Sequence, residues 1–81
     1  MTKPSVVGIG YDNYLDKNRF VAVLNISSSP AQRLAKRAEE SGRLIDVTAG
    51  RKRKSLIITD SNYVFVTAKA PNTLSKLMEE E

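Results

Sequence analysis

Gly50-Arg51-Lys52-Arg53-Lys54 is the densest chemical signal in this 81-residue chain, four consecutive cations opened by a glycine. Arginine presents a planar fork that binds phosphate bidentately and can read guanine edges, while lysine adds a point charge. The run separates two apolar segments at 44–48 and 55–59, so a hairpin tip that holds the side chains away from the body is expected. A solvated, solubilising turn is the plainer use, but four adjacent like charges repel one another, which is at odds with a purely stabilising role. Further cations stand elsewhere. Arg33, Lys36, Arg37 and Arg43 decorate a helix and its exit; Lys36 and Arg37 read most simply as a charged outer face. Arg19 stands at the mouth of an apolar strand, where a capping ion pair and an anion contact are equally good readings.

Other arrangements fall away on composition. The chain has no histidine and no cysteine, which removes Ser-His-Asp and Cys-His nucleophiles and every His/Cys zinc site. An oxygen-only metal site remains open in principle. Gly8-Ile9-Gly10 imitates the start of a dinucleotide fingerprint, but Asn13 stands where the third glycine belongs and no helix follows. The basic run lacks the Gly-Lys-Ser/Thr of a phosphate loop. Asp46 and Asp60 read as a strand-end residue and a turn former rather than a catalytic pair. The net charge is +4; with Glu79, Glu80 and Glu81 set aside, thirteen cations face six acids. A basic body on a small chain points to a polyanion, with nucleic acid ahead of an anionic membrane. No run approaches a membrane span, and the opening Met1-Thr2-Lys3-Pro4 leads into no signal-peptide core. The expected location is cytoplasmic.

The elements that position these residues follow from periodicity. Val6, Val7 and Ile9 form a short strand that ends in a turn through Tyr11-Asp12-Asn13, and residues 19–26 form a second strand, apolar on both faces. Ser29 is the expected helix cap, with Pro30 at the first helical position and Gln32 closing a capping box. Ala31, Leu34, Ala35 and Ala38 make the buried stripe, and Gly42 suits the left-handed position after the helix. Strands at 44–48, 55–59 and 63–68 are expected to form an antiparallel meander, and Pro71 opens a last helix with Leu74, Leu77 and Met78 on one face. Residues 79–81 are expected to fray. The class is therefore α+β: a small, largely antiparallel sheet of about five strands in β-β-α-β-β-β-α order, with two helices. A chain this short buries only about 60–65% of its unfolded surface. Two short helices leave part of a two-faced sheet uncovered, so a symmetric homo-oligomer is expected.

The order of these pieces resembles the RemA family, small bacterial regulators of extracellular-matrix genes. The resemblance rests on Gly10-Tyr11-Asp12-Asn13, Asn18-Arg19, Pro30-x-x-Arg33, Gly42-x-Leu44-Ile45-Asp46-x-Thr48-x-Gly50-Arg51-Lys52, Asp60-Ser61 and Pro71-x-Thr73. It covers about 6 to 78, and the central Leu-Ile-Asp-x-Thr-x-Gly-Arg-basic block is its most specific part. It implies a fold related to LytTR-type DNA-binding domains, assembled into closed rings (heptamers or octamers) that carry DNA along a charged periphery. The family's DNA-contacting arginines fall on Arg19, Arg33 and Arg51. Its next arginine is Lys52 here, a family threonine is Arg53, and the loop's last arginine is Lys54. The aromatic usual before the loop glycine is Ala49, and the family's glycine after the first aromatic is Asp12. Charge is kept or raised, while bidentate geometry is lost at 52 and 54.

Residues and resemblance together lead to one expectation for residues 1–81 as a single domain. It is a non-catalytic DNA-binding transcriptional regulator whose ring binds or wraps duplex DNA through Arg19, Arg33, Arg51, Lys52, Arg53 and Lys54, with control of biofilm-matrix genes implied by the resemblance. The partners expected are double-stranded DNA and further copies of the chain. No cofactor, metal, membrane or small-molecule substrate is expected. An RNA-binding regulator and a homo-oligomeric protein-interaction adaptor are the alternatives.

Overall fold

The computed structural model describes residues 6–11 and 13–79, with side chains as far as Leu77. Asp12, Glu80, Glu81 and the first five residues lie outside them, as does the Met78 side chain. The chain opens on β1 (Val6–Gly10) and β2 (Asn13–Asp16), an antiparallel hairpin whose register shifts between Gly8 and Gly10. The hairpin strand β2 is an addition to the five strands expected. It was hidden because Asn13, Tyr14 and Asp16 are exposed and only Leu15 packs into the core, so no apolar alternation marks it. Asp16 then accepts from the Asn18 amide at 2.9 Å, which starts a 3-10 turn over Lys17–Arg19.

The remaining strands, β3 (Phe20–Asn25), β4 (Leu44–Asp46), β5 (Ser55–Thr59) and β6 (Val64–Thr67), form one sheet in the order β3-β5-β6-β4. β3, β5 and β6 pair antiparallel in turn, but β4 runs parallel to β6. The expected meander is corrected here. The tight turn after β5 lays β6 directly against it, so the free edge of β6 is what remains for β4. The chain from β4 to β5 must then cross the end of β6, and the basic run lies in a crossover loop rather than at a hairpin tip. That loop is tied to β6 at both ends: the Val47 amide donates to the Val66 carbonyl at 2.9 Å and the Lys54 amide to the Thr67 carbonyl at 2.8 Å.

Helix α1 (Ser29–Glu40) covers one face of the sheet. Its cap is Ser28 and not Ser29: Ser28 is extended and its hydroxyl accepts from the Ala31 amide, while Ser29 is already helical. The capping box through Gln32 does not form, because the one-residue offset puts Ala31 at the third helical position. Ala31, Ala35 and Ala38 pack on Leu56, Val64 and Val66; Leu34, expected in that stripe, is 39% exposed at its margin. The small alanine contacts let the helix approach the sheet closely but bury modest area. Gly42 ends the helix at φ 72, as its position predicts.

The opposite face carries a second core, in which Ile57 packs with Val7, Ile9, Val47 and Leu74. The two-faced apolar pattern of β5 is thus explained within one chain. Leu56 meets α1, while Ile57 meets the hairpin and α2 (Pro71–Glu79). The hairpin covers surface that the sequence assigned to a second copy. Exposed apolar residues remain, among them Val6 and Tyr14 on the outer face of the hairpin and Val21, Ile45 and Tyr63 elsewhere. Truncating fully buried Leu56 or Ile57 to alanine would cost about 2–5 kcal/mol. Of the residues expected to fray, Glu79 still belongs to α2, and Glu80 and Glu81 lie outside the described residues.

Candidate nucleic-acid interface

Three backbone segments meet at the end of β6 and are joined there by one residue. Buried Thr67 donates its hydroxyl to the Ile9 carbonyl at the end of β1, and the same oxygen accepts from the Lys69 amide at 3.2 Å. Its own carbonyl accepts from Lys54. Ser55 adds a 2.6 Å bond to the Lys69 carbonyl. The hairpin, the crossover loop and the chain leaving β6 therefore share a single junction.

These segments wall a cleft of about 440 Å³ lined by Gly10, Tyr11, Val47, Arg51, Lys52, Lys54, Thr67, Ala68 and Lys69. Among the described residues, four cations and an aromatic ring line it. The Arg51 guanidinium sits 5.5 Å from the centre of the Tyr11 ring, a contact worth about 0.5–1 kcal/mol at an exposed site. Arg51 follows a turn in which its amide donates to the Thr48 carbonyl at 3.0 Å, with Ala49 at φ 54 and Gly50 at φ 82. Only glycine takes such backbone freely, so Gly50 is conformationally required, whereas Ala49 is strained. Gly10, at φ 134, faces the Val47 carbonyl so closely that a Cβ would come within 3.1 Å.

Asp46 anchors the loop from the other side. Its carboxylate accepts from the Thr48 amide at 2.8 Å and the Thr48 hydroxyl at 2.6 Å, and Arg53 reaches it at 3.1 Å. The Thr48 hydrogen bonds, hydroxyl first and amide second, hold the carboxyl below its ordinary value; burial opposes them, and the hydrogen bond and charge of Arg53 add lesser lowering effects. The Asp46-x-Thr48 spacing in the sequence is thus a structural staple.

The six cations named from the sequence are not gathered into one patch. Arg51, Lys52 and Lys54 share the cleft. Arg53 is turned to the α1 side of the sheet, where it pairs with Asp46 and borders a shallow groove with Gln32, Lys36 and Glu39. Arg33 is exposed on the first turns of α1. Arg19 lies at the far end of the sheet, about 17 Å away by the length of β5, in an ion pair with Asp60 at 3.2 Å. Of the two readings offered for Arg19, the ion pair is the one present. Arg43 near the same end donates to the Asn62 carbonyl and side chain at 2.8 and 3.0 Å. Sequence reasoning missed Tyr11 and Lys69. Tyr11 was visible only as an aromatic beside Gly10, and Lys69 as a lone cation after a strand.

Comparison with known proteins identifies a family. The sequence profile of the RemA-like family, described as extracellular matrix regulatory protein A-like, matches residues 6–78. A relative from Maridesulfovibrio salexigens is 42% identical over 74 residues, 91% of this chain and 86% of its own. One from Oleidesulfovibrio alaskensis is 37% identical across the whole chain and 96% of its own length. One from Thermotoga neapolitana is 40% identical over 75 residues, 93% of this chain and 82% of its own. All three are provisionally named regulatory proteins. No helix among the described residues is long and apolar enough to cross a membrane. With a profile match over nearly its full length and full-length relatives above one-third identity, this chain belongs to the RemA-like family.

Proposed function

We propose that this protein is a non-catalytic, DNA-binding transcriptional regulator that acts as a closed homo-oligomer, with control of biofilm-matrix genes as its role. The observation that carries the reading is the cleft in which Arg51, Lys52, Lys54 and Lys69 converge from two separate segments. Duplex DNA supplies phosphates at regular spacing, and each one neutralised releases condensed counterions. Arg51 supplies the one fork in the cleft, and the three lysines supply charge without geometry, so the cleft suits backbone binding more than base reading. Arg33, Arg53 and Arg19 lie outside the cleft and offer separate phosphate contacts, Arg19 and Arg53 once phosphate displaces their carboxylate partners.

The assembly supports avidity. The two outer strands of the sheet, β3 and β4, run in the same direction, and each leaves an exposed apolar residue, Val21 at 64% and Ile45 at 37%. A free edge of this kind invites pairing with another chain. Pairing β3 of one copy with β4 of the next is heterologous, the interface type that closes rings. Repeating the cleft around a ring lets neighbouring copies hold one duplex at high effective concentration.

Exposed Tyr11 favours one second reading, an RNA-binding regulator, since its ring can stack on an unpaired base. Mobility-shift titrations with duplex DNA and RNA of equal length, at several salt concentrations, separate the two. Preference for duplex DNA with a steep salt slope supports the proposal, and preference for single-stranded RNA replaces it. Light scattering tests the assembly: a monomer persisting at tens of micromolar, where obligate oligomers are normally formed, excludes the ring.

A further inference from the structure

A phosphate backbone passing over the surface needs charge, but it does not need a concavity with an aromatic wall. The cleft at the end of β6 has both. Its volume of about 440 Å³ falls in the range that takes a small organic ligand. Val47 and Ala68 contribute apolar lining, and Tyr11, half exposed, stacks with Arg51 to offer two adjoining π surfaces. Lys52, Lys54 and Lys69 complete the wall, and their ammonium groups have no hydrogen-bond or ion-pair partner among the described residues. Backbone strain accompanies the site. Tyr11 is held at φ 51 and Ala49, in the turn that presents Arg51, at φ 54, conformations that side-chain-bearing residues keep only when the surroundings impose them. Two other grooves among the described residues lack this combination: the one beside α1 is bordered by Glu39, and the one beneath Tyr63 presents Arg43 already bonded to Asn62.

We propose that this cleft is a binding site for a nucleoside polyphosphate. The base stacks on the Tyr11–Arg51 pair, and Lys52, Lys54 and Lys69 take the phosphates. The same cations are the ones assigned to DNA phosphates, so nucleotide and DNA compete, and a cellular nucleotide pool tunes occupancy of the DNA. That competition rests on the proposed function; nucleotide binding by itself does not.

Calorimetric titration of the full chain with ATP, GTP, adenosine and inorganic triphosphate tests the site. Saturable binding of at least one of the two nucleotides is expected, no binding of adenosine, and weaker binding of inorganic triphosphate. Tyr11→Asn suits the left-handed backbone and removes the ring, so it should weaken the nucleotide about tenfold while leaving triphosphate unchanged. Tyr11→Phe should restore nucleotide binding, and Lys69→Ala should weaken nucleotide and triphosphate alike. Absence of saturation by about 1 mM nucleotide, or equal affinities for nucleotide and triphosphate that ignore Tyr11, overturns the site. A DNA titration in the absence of nucleotide keeps the two proposals apart. DNA binding that neither nucleotide displaces overturns the competition and leaves the regulator reading standing. Nucleotide binding without DNA binding supports the site and removes that reading.

Discussion

The Thr67 hydroxyl donates to the Ile9 carbonyl across 58 positions of sequence, and that bond docks the first hairpin against the end of β6. Three walls of the basic cleft meet at this junction, because Thr67 also accepts from the Lys69 amide and holds Lys54 through its carbonyl.

Thr67→Val keeps the shape and removes the hydroxyl, leaving the Ile9 carbonyl without that donor. Stability should fall by about 1–3 kcal/mol in urea unfolding, and Thr67→Ser should recover most of it. Equal midpoints for the valine variant and the unmodified protein would show that the hairpin docks without this bond.

Asp46 gives the fold a pH dependence whose sign is fixed. Its folded-state pKa lies below the ordinary 3.8, so the stabilisation is complete above that value and is lost as pH falls through the lower, folded one. The side chain is 42% exposed, so screening limits the loss to about 1 kcal/mol. Asp46→Asn should cost about that much at neutral pH and flatten the stability profile below pH 4, measured by denaturant midpoints across the acid range.

Asp60 holds Arg19 in an exposed pair, which contributes at most about 1 kcal/mol to folding. Asp60→Asn should therefore leave the melting temperature nearly unchanged while freeing a guanidinium for phosphate. In fluorescence anisotropy its affinity for duplex DNA should rise, and Arg19→Ala should lower it. Unchanged affinity in both variants would make the pair purely structural.

Ala49 at φ 54 carries the left-handed penalty of a residue with a Cβ. Ala49→Gly relieves it, offset in part by the greater freedom of glycine in the unfolded chain, for a net gain of up to about 1 kcal/mol. Thermal unfolding reads the sign directly, and a lower midpoint would show that the loop tolerates alanine without strain.

Much of this fold was legible because apolar periodicity reports faces. The alternation Leu56, Ile57, Ile58 assigns residues to opposite sides of the sheet, and the alanine spacing of α1 identifies its buried stripe. Periodicity does not report neighbours. Three residues, Leu44 to Asp46, pair with β6 as readily in their pattern as with β5, and only the tight β5–β6 turn decides between them. The same limit applied to the site. A run of four cations is visible in any reading, but which of them share a cleft depends on how the loop crosses β6, and that crossing sends Arg53 to Asp46 while Arg51, Lys52 and Lys54 face Lys69.

The most direct test of the account is the salt dependence of duplex-DNA affinity for the unmodified protein, Arg51→Ala and Lys69→Ala, with oligomer size checked on the same samples. Each variant should bind more weakly, with a loss of about 1–3 kcal/mol for Arg51 if bidentate binding is removed. The slope of log affinity against log salt should flatten by about one for each phosphate contact removed per engaged subunit, with the oligomer unchanged. Unaltered affinity and slope in both variants would make the cleft solvated surface, and loss of the oligomer in Arg51→Ala would make that arginine an interface residue and place the DNA elsewhere.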